Sequence, residues 1–172
     1  SGSTLLGGGG DDSLYTLGDR LTGGYRVDGG EGNDLIMALG WRSTLLGGSG
    51  NDTIRHLGSG SLIDAGDGDD VIDVSSDSRD DAVTVMGGRG NDSITTSVVI
   101  GQRYACVVDA GEGDDTITGG GKADTVSGGS GNDLFYVENW SITLDLLIMV
   151  GTVEHLAVRL LSSLRRRLQP AA

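Results

Sequence analysis

Residues 110–136 read AGEGDDTIT GGGKADTVS GGSGNDLFY, three nine-residue units joined without a gap. In each unit positions 1 and 2 are small, position 6 is Asp (Asp115, Asp124, Asp133) and position 8 is apolar (Ile117, Val126, Phe135). A nine-residue period of this kind marks a stack of short strands joined by glycine-rich turns. The same unit recurs upstream, so that strong copies start at 7, 29, 47, 65, 87, 110 and 128, at intervals of 22, 18, 18, 22, 23 and 18 residues. Eighteen residues is two units, or one full coil if each unit supplies one strand and one turn. A single Gly-Asn-Asp or Gly-Asp-Asp could be a hairpin turn or a bulge; seven such turns in register exclude that.

Degenerate units fill the gaps, each keeping an apolar residue before the next small pair: Leu5, Val27, Leu45, Ile63, Val85, Val108 and Val126. Leu14, Ile36, Ile54, Ile72, Ile94, Ile117 and Phe135 hold the equivalent place in the strong units. Fourteen half-coils predict about seven coils, with strong turns stacked along one edge. Weak turns, with the insertions at 16–24, 75–80 and 96–101, stack along the other. Each three-residue stretch around the apolar position predicts a short strand with its centre inward and its neighbours outward. The glycines permit positive-φ turns. The Asx residue at position 5 (Asp11, Asn33, Asn51, Asp69, Asn91, Asp114, Asn132) tolerates left-handed backbone as well.

The unit G-G-x-G-x-D-x-U-x carried by these residues resembles the hemolysin-type calcium-binding repeats, also called repeats-in-toxin. The expected fold is all-β: a right-handed parallel β-roll (β-solenoid) of about seven coils with a C-terminal cap of strand and amphipathic helix. The resemblance implies metal ligation by Asp12, Asp34, Asp52, Asp70, Asp92, Asp115 and Asp133 together with carbonyls of the turn glycines. Those glycines are Gly8, Gly10, Gly30, Gly32, Gly48, Gly50, Gly66, Gly68, Gly88, Gly90, Gly111, Gly113, Gly129 and Gly131. Ca²⁺ wants six to eight oxygens, so two stacked turns complete one shell, and seven turns on one edge enclose up to about six ions. The bland alternative has these Asp residues only capping turns. A column of carboxylates at the roughly 5 Å strand spacing repels itself, however, and calls for a cation between coils.

Composition agrees with this reading. Gly makes up 32 of 172 residues without a G-X-Y period, which excludes collagen, and aromatic content is 4 %, which leaves a narrow aliphatic core. The net charge of −13 opposes nucleic-acid phosphates and anionic membranes. Cys106 is alone, so no intrachain disulfide can staple the fold, and it is expected as a small core residue. His56 and His155 lie far apart with no catalytic pattern, and metalloprotease, nucleophile-elbow and phosphate-loop signals are absent, so no enzyme is expected. His56 is expected at the surface, and Asp19 and Asp81 are expected to be merely solvated. Asp124 falls on the other edge beside Lys122 and predicts a vacant or partial site. A flat ice-binding Thr array is not supported, since position 3 reads Gly9, Glu31, Ser49, Asp67, Arg89, Glu112 and Ser130.

After Tyr136 the repeat stops, giving a division into a roll over 1–137 and a capping segment over 138–172. Within the latter, Val153, Leu156, Ala157, Leu160, Leu161, Leu164 and Leu168 recur at helical spacing, with Arg165–Arg167 in the last turn and Pro170 after it. The apolar run around Leu144–Val158 is too short and too charged to be a transmembrane segment. The opening SGSTLLGGGG has no basic start or apolar run and reads as a repeat cut in mid-stride, the expectation being a fragment of a longer protein.

These readings, with the resemblance, imply a calcium-dependent folding module of a secreted bacterial repeats-in-toxin protein. Its partners would be calcium ions and the type I secretion machinery, and it would be extracellular. The rival class is an accessory module that binds an acidic polysaccharide, as in a secreted alginate epimerase or adhesin, through Tyr15, Arg55, Arg89 and Tyr136.

Overall fold

The structure, a computed structural model, describes residues 2–18, 24–76, 81–98, 106–119 and 125–137. The segment 138–172, Asp19 and Asp124 lie outside the described residues, as do the expectations that fall on them. In chain order the strands are β1 (Thr4–Gly9), β2 (Ser13–Leu17), β3 (Arg26–Glu31), β4 (Leu35–Leu39), β5 (Thr44–Ser49), β6 (Thr53–Leu57) and β7 (Leu62–Asp67). They continue as β8 (Val71–Ser76), β9 (Val83–Arg89), β10 (Ser93–Val98), β11 (Cys106–Glu112), β12 (Thr116–Gly119), β13 (Thr125–Ser127) and β14 (Leu134–Val137).

Odd strands form one seven-stranded sheet, β1-β3-β5-β7-β9-β11-β13, and even strands form a second, β14-β12-β10-β8-β6-β4-β2. Every pairing is parallel and joins equivalent repeat positions, for example Leu45↔Ile63 and Ile54↔Ile72. The chain is a parallel β-solenoid, two sheets wound by alternating turns. Branched aliphatic residues at position 8 drive this, because each buries its side chain against the same residue of the coils above and below. Val27, Ile36, Leu45, Ile54, Ile63, Ile72, Val85 and Ile94 are fully buried.

The core is wider than the sequence reading made it. Most strands run five to seven residues rather than three. Period-2 alternation therefore brings a further residue of each strand inward. Ala38, His56 and Val74 form one such row on the even sheet, and Val83 and Cys106 continue a row on the odd sheet. His56, expected at the surface, is consequently fully buried, two residues beyond Ile54 on the same face of β6. Phe135, expected inward, is 43 % exposed because β14 is the last strand of its sheet among the described residues.

The turns show why glycine recurs at positions 2 and 4. Gly48 and Gly50 adopt φ of 120° and 116°, a region that L side chains rarely enter. A Cβ on either would also run into the carbonyl oxygen of the coil before, that of Gly30 or of Gly32. Coils stack at strand spacing only if these two turn positions carry no side chain.

Candidate metal centre

All seven position-6 aspartates stack in one column at the strong-turn edge. Each of the first six donates its main-chain N–H to the carboxylate of the Asp one coil further on. Asp12 reaches Asp34 Oδ1 at 2.8 Å, Asp34 reaches Asp52 at 2.8 Å, and Asp52 reaches Asp70 at 2.7 Å. Asp70 reaches Asp92 at 2.9 Å, Asp92 reaches Asp115 at 2.8 Å, and Asp115 reaches Asp133 at 3.2 Å. The column is therefore built by the same register that stacks the aliphatic core two residues away.

The second carboxylate oxygen has no such partner. Oδ2 of Asp12, Asp34, Asp52, Asp70, Asp92 and Asp115 is buried without a hydrogen-bond partner. A buried, unpaired carboxylate oxygen costs several kcal/mol unless something cationic or a proton meets it. Burial pushes the carboxyl of Asp52 up to about 6, helped by the charge of Asp34, although the Asp34 N–H pulls the other way. Asp70, with Asp92, Asp52 and Asp69 around it, is pushed by burial up to about 7, and Asp92 to about 6. Asp115 is raised for the same reason, with the Asp133 and Asp114 charges adding to it.

Position 5 does something the sequence reading did not foresee. Asx residues tolerate left-handed backbone, yet the one non-glycine residue with positive φ among the described residues is Arg42. The position-5 side chains instead form a second ladder of opposite sense. Asp11 Oδ1 accepts the N–H of Asn33, Asn33 that of Asn51, Asn51 that of Asp69 and Asp69 that of Asn91. Asn91 and Asp114 extend it to Asn132. Position 5 thus grips the following coil while position 6 is gripped by the preceding one. The signal was present as an unbroken Asx row, but its use depends on coil-to-coil register.

On the other edge, neutral side chains take the place of the carboxylates. Ser43 Oγ accepts the N–H of Tyr25 at 3.3 Å and Ser61 Oγ accepts that of Ser43 at 3.0 Å. These serines sit two residues before Leu45 and Ile63, just as Asp52 sits before Ile54. Asp81, expected to be only solvated, pairs with Arg42 at 3.1 Å. Cys106 is buried in the core cluster, as expected.

The residues suggested for polysaccharide contact do not gather. Tyr15, Arg55 and Tyr136 occupy one outward row of the even sheet, interrupted by Asp73, since the register links Tyr15, Met37, Arg55 and Asp73 in turn. Arg89 belongs to the odd sheet, 3.5 Å from Asp67 and 3.7 Å from Glu112.

The donor set suits a hard cation. It is all oxygen and anionic, with six buried carboxylate oxygens left over. Among the described residues no group of three or more His, Cys, Asp or Glu side chains converges, so a full shell needs main-chain carbonyls. Position-3 and position-6 carbonyls already accept inter-coil N–H groups, as Ser49 O does from Gly32 and Asp34 O from Thr53. The carbonyls of Gly10, Gly32, Gly50, Gly68, Gly90 and Gly113 accept no such bond among the described residues. Carboxylates and free carbonyls thus lie in the same turns.

Fold and turn chemistry together define a repeat solenoid of the calcium-binding class. The RTX calcium-binding nonapeptide repeat model matches residues 3–20, 28–56, 61–78, 84–97 and 108–139, and the chain belongs to that family. No curated protein and no solved structure matches it.

Proposed function

We propose that this chain is a calcium-driven folding module, in which the position-6 aspartates named above hold Ca²⁺ between coils with carbonyls of the turn glycines. The observation that carries the reading is the file of buried Oδ2 atoms without partners. Bound there, the ion supplies positive charge between like-charged coils. The chain's own part is to present two carboxylates and the turn carbonyls per inter-coil gap, up to about six gaps for seven turns.

With a net charge of −15 over residues 1–140, the roll repels itself when metal is scarce, as it is inside cells. Where Ca²⁺ is near millimolar the same residues lock the coils, since sites of extracellular type bind at about 10⁻⁴–10⁻³ M and binding adds to folding stability. That sequence suits a bacterial chain exported unfolded through a type I system and folded outside. The roll over 1–137 serves as a structural part, without a reaction of its own, of the protein that carries it. Circular dichroism and metal stoichiometry test the reading: strand signal should rise with Ca²⁺ and collapse in chelator. An equal signal in both, with no ion bound in a calorimetric titration at millimolar Ca²⁺, would refute it.

A further inference from the structure

The even sheet carries an apolar stripe on its outer face that the calcium column does not explain. Leu17, Leu39 and Leu57 are register partners at the ends of β2, β4 and β6, with Tyr15 and Met37 in the outward row beside them. Leu17 is 83 % exposed, Tyr15 57 % and Leu57 52 %. Neighbouring coils replace the stripe with Ser75 and Ser97, partners of each other and of Leu57 in the same register, so the patch is bounded. A contiguous apolar surface of this kind marks a contact site.

We propose that its occupant is residues 153–168 of the same chain. Four facts favour this. The chain continues for 35 residues past Val137. Val137 ends β14 in the row of Gly119, Thr96, Val74, His56, Ala38 and Thr16, which is next to the row of the Leu stripe. β6 is four strands from β14 in that sheet, about 19 Å at ordinary strand spacing, and the 15 residues 138–152 can span about 50 Å. Coiled as a helix, 153–168 would measure about 24 Å and bring Val153, Leu156, Leu160, Leu161, Leu164 and Leu168 to one side.

Charge selects this occupant over the others. Residues 141–172 carry four Arg against Asp145 and Glu154, a net +2, whereas residues 1–140 carry −15, which six bound Ca²⁺ would reduce to about −3, with Arg55 the one cation in the outward row beside Leu57. A second roll or an anionic bilayer would bring negative charge against negative, while the tethered tail brings positive charge at high effective concentration. Docked there, the segment would lie against the outer face of the first three coils.

Trypsin tests this on the full chain in Ca²⁺, with cleavage at Arg159 and Arg165–Arg167 followed by mass spectrometry. Docking should slow cleavage there at least about tenfold relative to an isolated 141–172 peptide, because proteolysis follows the open population. Leu17→Ser with Leu57→Ser, both outward substitutions, should restore fast cleavage while strand dichroism stays unchanged. Equal rates in wild type and the double variant would overturn the proposal. So would protection that disappears on dilution, which means a second copy, or protection abolished by Tyr136→Ser but not by the Leu pair, which means the open end.

Discussion

Asp70 accepts the main-chain N–H of Asp52 at 2.7 Å through Oδ1, while its Oδ2 is buried without a partner. One oxygen is spent on holding two coils in register and the other is left for a cation. Structure and binding thus depend on the same side chain, which is why metal and folding should be inseparable here.

Asp70→Asn keeps the Oδ1 acceptor and removes the charge. The calcium midpoint of folding should rise on the order of tenfold, because ligand charge count tunes affinity, and the bound-ion count should fall. In chelator the variant should be no less ordered than wild type, since one like charge has left the column. Calcium titration followed by circular dichroism reads both.

Acid should favour the metal-free roll. Asp52, Asp70 and Asp92 have folded values of about 6, 7 and 6 against an ordinary 3.8. Folded values above unfolded ones mean stability is full below about pH 4 and is lost as pH rises through about 7. His56 works against this, being pushed by burial down to about 4 from 6.5, so its contribution is lost as pH falls. One such group faces three. Melting in chelator should therefore be higher near pH 5 than at pH 7.5, and calcium affinity should increase over the same range. A metal-free Tm that climbs with pH would contradict the assignment of the column.

His56→Val should stabilise the roll. His56 Nδ1 lies 3.2 Å from Ala38 O, but Nε2 is buried without a partner, and an unmet buried group costs roughly 1–3 kcal/mol. Val74 already fills the same row one coil on. Removing a group that wants to protonate in acid should make the gain larger at pH 5 than at pH 7.5, as thermal melts would show.

Gly48→Ala should cost about 1–3 kcal/mol, given its φ of 120° and the collision with Gly30 O. Gly9→Ala meets nothing within 4 Å and should stay within about 0.5 kcal/mol. Comparable losses at both positions, by calcium-dependent melts, would show that turn geometry is not what glycine supplies.

The repeat period alone determined the local events: which residues turn, which aliphatics face inward, and that Asp recurs once per strong turn. These are properties of one unit and its nearest neighbours in sequence, so a single chain reading reaches them. The tertiary stack decided the rest. His56 went inside because parallel pairing extended β6 by two residues past Arg55, to Leu57. The Asx row at position 5 became a ladder because a side chain 18, 22 or 23 residues away lies one strand spacing distant. Ser43 and Ser61 took over, at the other edge, the inter-coil role that Asp52 and Asp70 hold at the first, so that among the described residues the carboxylate column stands on one side. Hydrogen bonds and unpaired charges depend on distances between coils, and those distances exist only once the chain has wound back on itself.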